Sequence, residues 1–456
     1  MSAVTQFPYP QSGKLLILGA GESGVGAAIL GKQKGFDVWV SDAGTIAEKY
    51  QNELQDLGVY IEEGVHSDEA LDNVDLVIKS PGIPTKAPVI QRLLQTGVPI
   101  IGEIEFAAQY TSANIIAITG SNGKTTTTSL TWYMLKNAGL NVGLAGNIGS
   151  SFAKQVALEQ HDCYVLEISS FMLDDMYHFR AHIAVLLNIT PDHLDRYNYQ
   201  MEKYVDSKLR IVRNQQPEDY FIYCADDPET LKGLTRHEIV AQKLPFSLTS
   251  KSLPGAYLEG DLLTIDLLKN DVFTMNIYDL SLTGKHNVYN NMASGLIAKA
   301  QELRNATMKE SMGSYQNIPH RLEFVSCIAG VNYINDSKAT NVNSVWYALE
   351  SFAPSIVLIM GGVDKGNDYG MIRDLVKEKV KAIVCIGKEN SRIYESLEQD
   401  VPVILNSSSM KDAVEIASHI AKKGDTVLLS PACASFDWFK NYEDRGDQFK
   451  AAVMEL

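Results

Sequence analysis

The stretch Thr119-Gly120-Ser121-Asn122-Gly123-Lys124-Thr125-Thr126 carries the residue types that hold a phosphate chain. Glycines let backbone N–H groups close on phosphate oxygens, Lys124 reaches the outer phosphates, and a threonine hydroxyl such as that of Thr125 can ligate Mg²⁺. Ile118 stands where the first glycine of the common G-x-x-x-x-G-K-[ST] pattern would be. Further along, Glu167 follows the apolar run Cys163-Tyr-Val-Leu166. A carboxylate at a buried strand end is costly unless it is paired or binds a metal, which makes Glu167 a candidate Mg²⁺ ligand beside Thr125. Asp192-His193-Leu-Asp195-Arg196 gathers acids and a histidine behind another apolar run, Ile183–Leu187. Near the C-terminus, Arg321, Lys338 and Lys365 lie in loops at strand ends and read as anion-binding cations in an otherwise acidic chain.

These groups need a scaffold that brings strand ends to one rim. The β-branched run Asn114–Thr119 predicts a buried parallel strand, and the Gly-Lys-Thr after it predicts a helix to about Gly139. Residues 1–112 form a first domain. Its strand Lys14–Leu18 leads into Gly19-Ala-Gly21-Glu22-Ser23-Gly24, a helix and the strand Asp37–Asp42, the dinucleotide fingerprint, with Asp42 placed to accept from a ribose hydroxyl. NAD or FAD is one reading of that fingerprint; another nucleotide is the other. A further strand, Val74–Lys79, runs into the rigid turn Ser80-Pro-Gly82-Ile-Pro84.

Residues 113–318 form a middle domain, with Gly146-Asn147-Ile-Gly149 after a short strand and Lys208 on a helix spanning about Tyr199 to Arg213. Between Tyr220 and Leu282 strands alternate with turns and extend the sheet. Asn287 and Asn290, on one face of a helix running through Ala300, either read a base edge or cap the helix start. Residues 319–456 alternate strands and helices again, with strands at Ile356–Met360, Ala382–Ile386, Val401–Leu405 and Thr426–Ser430. The expected fold is three α/β domains, the outer two Rossmann-like and the central one P-loop ATPase-like. Closure of the three around one site would exclude water from a phosphorylated intermediate.

At 456 residues, with 45% hydrophobic and 21% charged residues, the chain has room for several cores. A net charge of −15 argues against a broad electrostatic grip on nucleic acid or anionic lipid. The five cysteines, Cys163, Cys224, Cys327, Cys385 and Cys433, form no C-x-x-C pair, and buried free thiols in a reducing cytosol are expected. The start, Met1-Ser-Ala-Val-Thr-Gln-Phe7, has neither a basic nor an apolar stretch, so no signal peptide and no membrane span are expected.

Taken together, Thr119-Gly-Ser-Asn-Gly-Lys-Thr125, Gly146-Asn-Ile-Gly149, Glu167-Ile-Ser-Ser-Phe171, Asp192-His-Leu-Asp-Arg196, Gly284-Lys-His-Asn287, His320-Arg321 and Asp336-Ser-Lys-Ala-Thr-Asn341 resemble the ATP-dependent Mur ligases of peptidoglycan synthesis, in the family's order and over nearly the whole chain. Ser80-Pro-Gly-Ile83, Leu429-Ser-Pro-Ala-Cys-Ala-Ser-Phe-Asp437 and Lys440-Asn-Tyr-Glu-Asp-Arg-Gly446 are similar to the branch that adds D-glutamate. The resemblance implies a cytoplasmic, monomeric enzyme of cell-wall synthesis, binding neither nucleic acid nor membrane. ATP would phosphorylate the carboxylate of UDP-N-acetylmuramoyl-L-alanine, and the amine of D-glutamate would attack the acyl phosphate. It implies that Gly120, Ser121, Asn122, Gly123, Lys124, Thr125 and Thr126 hold the phosphates, with Asn287, Asn290, His320, Arg321 and Asp336 on the adenosine and Lys338 on the transferred phosphate. Mg²⁺, at two sites, would be held by Thr125, Glu167, His193 and Lys208, the last being the lysine that the family carbamylates. Glu22, Ser23, Asp42, Gly82, Asn147 and His193 would meet the UDP-sugar, with no redox cofactor in the first domain. Thr340, Lys365, Ser435 and the backbone near Tyr442 would meet D-glutamate. Glu22, Ser23, Ala43 and Tyr442 depart from the family's usual residues. Competing expectations are a related ligase for another amino acid, a folylpolyglutamate-synthase-like enzyme, a nucleotide-binding regulator without catalysis, and an oxidoreductase.

Overall fold

Apolar, β-branched runs build three separate sheets in the computed structural model, which describes residues 8–269, 271–282, 284–316 and 319–456. The expectation about residues 1–7 and the domain end at 318 fall outside the described residues. The chain divides into two compact units, Met1–Leu280 with Tyr289–Ser314, and Ser281–Val288 with Tyr315–Leu456.

The first unit holds two sheets. One comprises β1 (Lys14–Leu18), β2 (Asp37–Asp42), β3 (Tyr60–Glu63), β4 (Leu76–Lys79) and β5 (Ile100–Ile101), all parallel, in the order β3-β2-β1-β4-β5. Strand order reverses between β1 and β4, so their carboxyl ends open a crevice where ligands of such sheets bind. The other comprises β6 (Asn114–Thr119), β7 (Val142–Gly146), β8 (Cys163–Glu167), β9 (Ile183–Leu186), β10 (Tyr220–Cys224), β11 (Gln242–Ser247), β12 (Gly255–Glu259), β13 (Leu262–Asp266) and β14 (Phe273–Asn276). Its order is β14-β13-β12-β11-β10-β9-β6-β8-β7, antiparallel only from β12 to β14. Strand β6 lies between β8 and β9, which places the phosphate-binding loop, Glu167 and Asn188 at three adjacent carboxyl ends.

The helix expected from about Tyr199 to Arg213 is shorter. Asn198 and Tyr199 have left-handed φ values of 56° and 58°, so the helix starts at Met201, ends at Leu209 and gives way to a tighter turn at Arg210–Val212. Lys208 keeps its place in its last turn.

Between the two sheets of this unit, Glu103 is fully buried and accepts from Ser151 Oγ and Ala153 N, both at 2.6 Å. Burial pushes its carboxyl up from 4.5 to about 7, against the lowering pull of those hydrogen bonds. The folded protein therefore keeps a proton that the unfolded chain loses near 4.5, and stability falls as pH rises through that window. Glu103→Gln retains the accepting oxygen without the charge. Its melting temperature relative to the wild type should rise between pH 5 and pH 8, reflecting on the order of 3 kcal/mol. A gap that does not change with pH in calorimetric scans would contradict this assignment.

The second unit holds β15 (Glu323–Ile328), β16 (Val331–Asn335), β17 (Ile356–Gly361), β18 (Val380–Ile386), β19 (Ile404–Asn406) and β20 (Thr426–Leu429), in the order β15-β16-β20-β17-β18-β19. Only the β15–β16 pair is antiparallel. The strand expected at Val401–Leu405 begins instead after Pro402, which has no N–H to give a ladder. Cys163, Cys224, Cys385 and Cys433 are buried thiols, but Cys327, on the edge strand β15, is exposed. Among the described residues, no helix is long and apolar enough to cross a membrane.

Candidate active site

The loop Thr119–Thr126 is held by side chains on both of its sides. Gly123 has φ of 81°, and a Cβ there would lie 2.4 Å from Asn290 Oδ1, so the close approach of that amide requires glycine. Thr127 Oγ1 donates to the same oxygen at 3.2 Å. On the other side, Asn188 Oδ1 accepts from Asn122 N at 2.9 Å and its Nδ2 donates to Asn122 O at 3.0 Å. Ser121 Oγ donates to Thr190 O at 2.9 Å and lies 3.0 Å from the Tyr204 hydroxyl. Thr125 and Thr126 are buried in the first turn of the helix Lys124–Asn137.

Two lysines converge on this loop. Lys124 Nζ donates to the carbonyls of Gly120 and Ser121, and Lys208 Nζ donates to the Gly120 carbonyl, all at 2.8 Å. Lys208 is 1% exposed. Burial, and next the charge of Lys124, hold its amine well below the ordinary lysine range.

Both lysines line a cavity of about 520 Å³ that also takes in Glu22, Ser23 and Gly82 from the first sheet's rim, with Asn147, Phe171, Asp192 and His193 from the second. Asn147 Nδ2 donates to Glu167 Oε1 at 2.6 Å, while Glu167 Oε2, buried, has no hydrogen-bond partner among the described residues. An uncompensated carboxylate oxygen in a buried position beneath a phosphate-binding loop suits a hard cation. Among the described residues no three His, Cys, Asp or Glu side chains cluster as a metal site. His193 lies 3.6 Å from Asp192 and packs edge-on against Phe171, ring centres 5.0 Å apart.

Two expected sugar contacts have other partners. Asp42 does not line the cavity; its carboxylate accepts from Ala20 N at 2.7 Å and Gly44 N at 2.8 Å, which ties the glycine loop to the end of β2. Glu22 lines it, with Oε1 accepting from Ser151 N at 3.2 Å.

In the second unit, Asp336 is buried, its carboxylate accepting from Leu322 N at 3.2 Å and Ser430 Oγ at 3.0 Å. Burial pushes it up to about 6, with the positive charge of Arg321 opposing. Asp336 thus pins the His320-Arg321 corner to the end of β20. His320 is also buried, beside Asn335, and its ring stands edge-on to Tyr442. Lys338 lies 5.3 Å over the Tyr442 ring. Ser435 is buried, Thr340 half-buried and Lys365 exposed on the loop after β17. Lys338 N donates to the His320 carbonyl at 3.0 Å, so the Lys338 loop adjoins the His320-Arg321 corner. Asn287 is buried in this unit, whereas Asn290 belongs to the first.

Three family models match the chain: Mur ligase MurD-like, N-terminal domain at residues 13–102, Mur ligase middle domain at 118–298, and Mur ligase, glutamate ligase domain at 320–433. The UDP-N-acetylmuramoylalanine–D-glutamate ligase of Bacteroides fragilis is 53% identical over 444 residues, covering 97% of this chain and 100% of its own length. The chain belongs to the Mur ligase family. The ligase of the same name from Salinibacter ruber is 41% identical over 96% of this chain and 97% of its own length. The Mur ligase fold recurs in the crystal structure of UDP-N-acetylmuramate-alanine ligase from Thermotoga maritima, with a TM-score of 0.63 at 19% identity over 97% of this chain and 99% of that one.

Several residues that hold the candidate residues of each unit in place gave little signal in the sequence. Asn188 ends an apolar strand, and a polar side chain at that position was a usable signal. Tyr204 lies one helical turn before Lys208 and shares its face. Arg445 gave no local signal. Fully buried, it donates to Ser337 Oγ at 3.0 Å, Ser337 O at 2.7 Å and Cys433 O at 3.0 Å, joining two loops far apart in sequence.

Proposed function

We propose that the protein joins D-glutamate to UDP-N-acetylmuramoyl-L-alanine with ATP, through an acyl phosphate, in peptidoglycan precursor synthesis. The observation that carries this reading is the single cavity into which the phosphate-loop lysine, the buried Lys208 and the rim of the first sheet all open. Relatives about half identical over nearly the full chain, named for that reaction, support it.

In the first step a carboxylate oxygen of the muramoyl-alanine attacks the γ-phosphorus of ATP, and the bond from that phosphorus to the β-bridging oxygen breaks, releasing ADP. In the second, the amine nitrogen of D-glutamate attacks the acyl carbon, the bond to the phosphate oxygen breaks, and a proton leaves the nitrogen. The first step sends charge toward the β–γ bridge, where Lys124 and the N–H groups of the loop would neutralise it. Asn188 and Tyr204 keep that loop from rearranging, so little reorganisation is needed at the moment of reaction.

Thr125, Glu167, His193 and Lys208 would hold Mg²⁺, which when bound would screen the phosphoryl oxygens. For Lys208 to serve there it must become an anionic donor. Its amine, held well below the ordinary lysine range by burial, can as the free base attack CO₂ and lose a proton, giving a carbamate. Asn147 and Gly82 would face the nucleotide-linked substrate, and His320, Arg321 and Asn287 the adenosine. Ser435, Thr340, Lys365 and the Tyr442 segment would face the two carboxylates of D-glutamate.

The test is ADP release with ATP, Mg²⁺ and UDP-N-acetylmuramoyl-L-alanine against a panel of D- and L-amino acids. Turnover is expected with D-glutamate alone. Turnover with another acceptor would keep the ligase chemistry and overturn the glutamate assignment, and no turnover with any would overturn the reading.

A further inference from the structure

The turn Ser80–Pro84 presents Pro81 and Gly82 to the cavity, yet what fixes it comes from the middle part of the chain. Arg196 Nη2 donates to the Pro81 carbonyl at 2.8 Å and the Ile83 carbonyl at 3.3 Å, and its Nη1 donates to the Gly82 carbonyl at 3.2 Å. The guanidinium carbon sits 4.3 Å over the centre of the Phe171 ring, and Phe171 in turn packs on His193. Lys79 Nζ, buried and paired with Asp175 at 2.6 Å, donates to the same Ile83 carbonyl at 2.9 Å.

We propose that Arg196 is a positioning residue for the UDP-sugar substrate, turning the amide of Gly82 toward the cavity by capturing the carbonyls on its other side. This rests on the assignment of that cavity to the nucleotide-linked substrate. In a trans peptide the C=O and N–H point in opposite directions. The Pro81 carbonyl held by Arg196 therefore sets the direction of the Gly82 N–H. The Ile83 N–H closes the turn onto Ser80 O at 3.1 Å, and Pro84 has none, so Gly82 carries the donor available to a ligand oxygen. A Cβ at Gly82 would meet no protein atom within 4 Å, which is the open space such a ligand needs. Three consecutive carbonyls and an aromatic face suit a planar fork of donors, and a lysine cannot reproduce that pattern. Arg196 also stands three residues after His193, so one short segment sets both the substrate-facing amide and the histidine.

The experiment compares wild type, Arg196→Lys and Arg196→Met for binding of UDP-N-acetylmuramoyl-L-alanine by calorimetry, for KM of each substrate, and for melting temperature. Expected is a rise of about 10- to 100-fold in Kd and KM for the UDP-sugar in Arg196→Met. Arg196→Lys should recover only a small part, and KM for ATP should stay within about twofold in both variants. Gly82→Ala, which the backbone tolerates, should weaken the same substrate selectively. Variants that bind the UDP-sugar as the wild type does, or that lose affinity for ATP and UDP-sugar alike, overturn the role of Arg196 while the cavity assignment stands. A wild type that turns over ATP but binds no UDP-sugar overturns the cavity assignment and this inference together.

Discussion

Lys124→Met should lower turnover by about 10³-fold while the protein stays folded. The size follows from what the ammonium does. It donates to the carbonyls of Gly120 and Ser121, at the head of a helix whose N-terminus favours anions. When a phosphate chain enters, the same group neutralises charge that grows toward the β–γ bridge in the transition state and is smaller before it. A side chain acting mainly in the transition state shows in kcat more than in KM. Methionine keeps the length and the apolar stem, so the melting temperature should change little. Single-turnover ADP formation checks the prediction; a variant with wild-type kcat and raised KM for ATP would place Lys124 in ground-state binding instead.

Lys208→Ala should be nearly as damaging, about 10³-fold, for a different reason. Lys208 is buried, its amine held well below the ordinary lysine range by burial and by the charge of Lys124, which favours the nucleophilic free base. A carbamate at Lys208 would need dissolved CO₂. Wild-type protein equilibrated in CO₂-depleted buffer should lose activity and regain it with bicarbonate, whereas Lys208→Ala should respond to neither. The sign with pH follows: protonation of the amine competes with carbamate formation, so activity recovered by bicarbonate should fall as pH is lowered. A wild type indifferent to bicarbonate, with Lys208→Ala still inactive, would leave the lysine as a donor to Gly120 O and remove the carbamate.

Much of the site was legible along the chain. Phosphate binding was readable because it needs contiguous residues: a strand end, glycines, a lysine and a helix start. The parallel sheets were readable because buried strands are apolar throughout. Lys124, Asn147, His193, Lys208, Glu22, Ser23 and Gly82 were each named from local context or family likeness, and the structure gathers all seven around one cavity.

What the chain order did not reveal is which partner each charged group takes. Asp42 is drawn to two backbone amides, Asp336 to Leu322 N and Ser430, and Arg196 to three carbonyls of a turn more than a hundred residues earlier. Helix and strand patterns arise from periodicity and turn chemistry within a few residues, so sequence alone determined the elements, the phosphate-binding loop and the α/β class. Hydrogen-bond partners are chosen by whichever donor or acceptor the topology brings within about 3 Å, at the cost of desolvating the rest. Only the tertiary structure, by deciding which strand ends share a rim, left Glu167 Oε2 without a partner among the described residues, buried Lys208 beside the charge of Lys124 and made Arg196 a clamp.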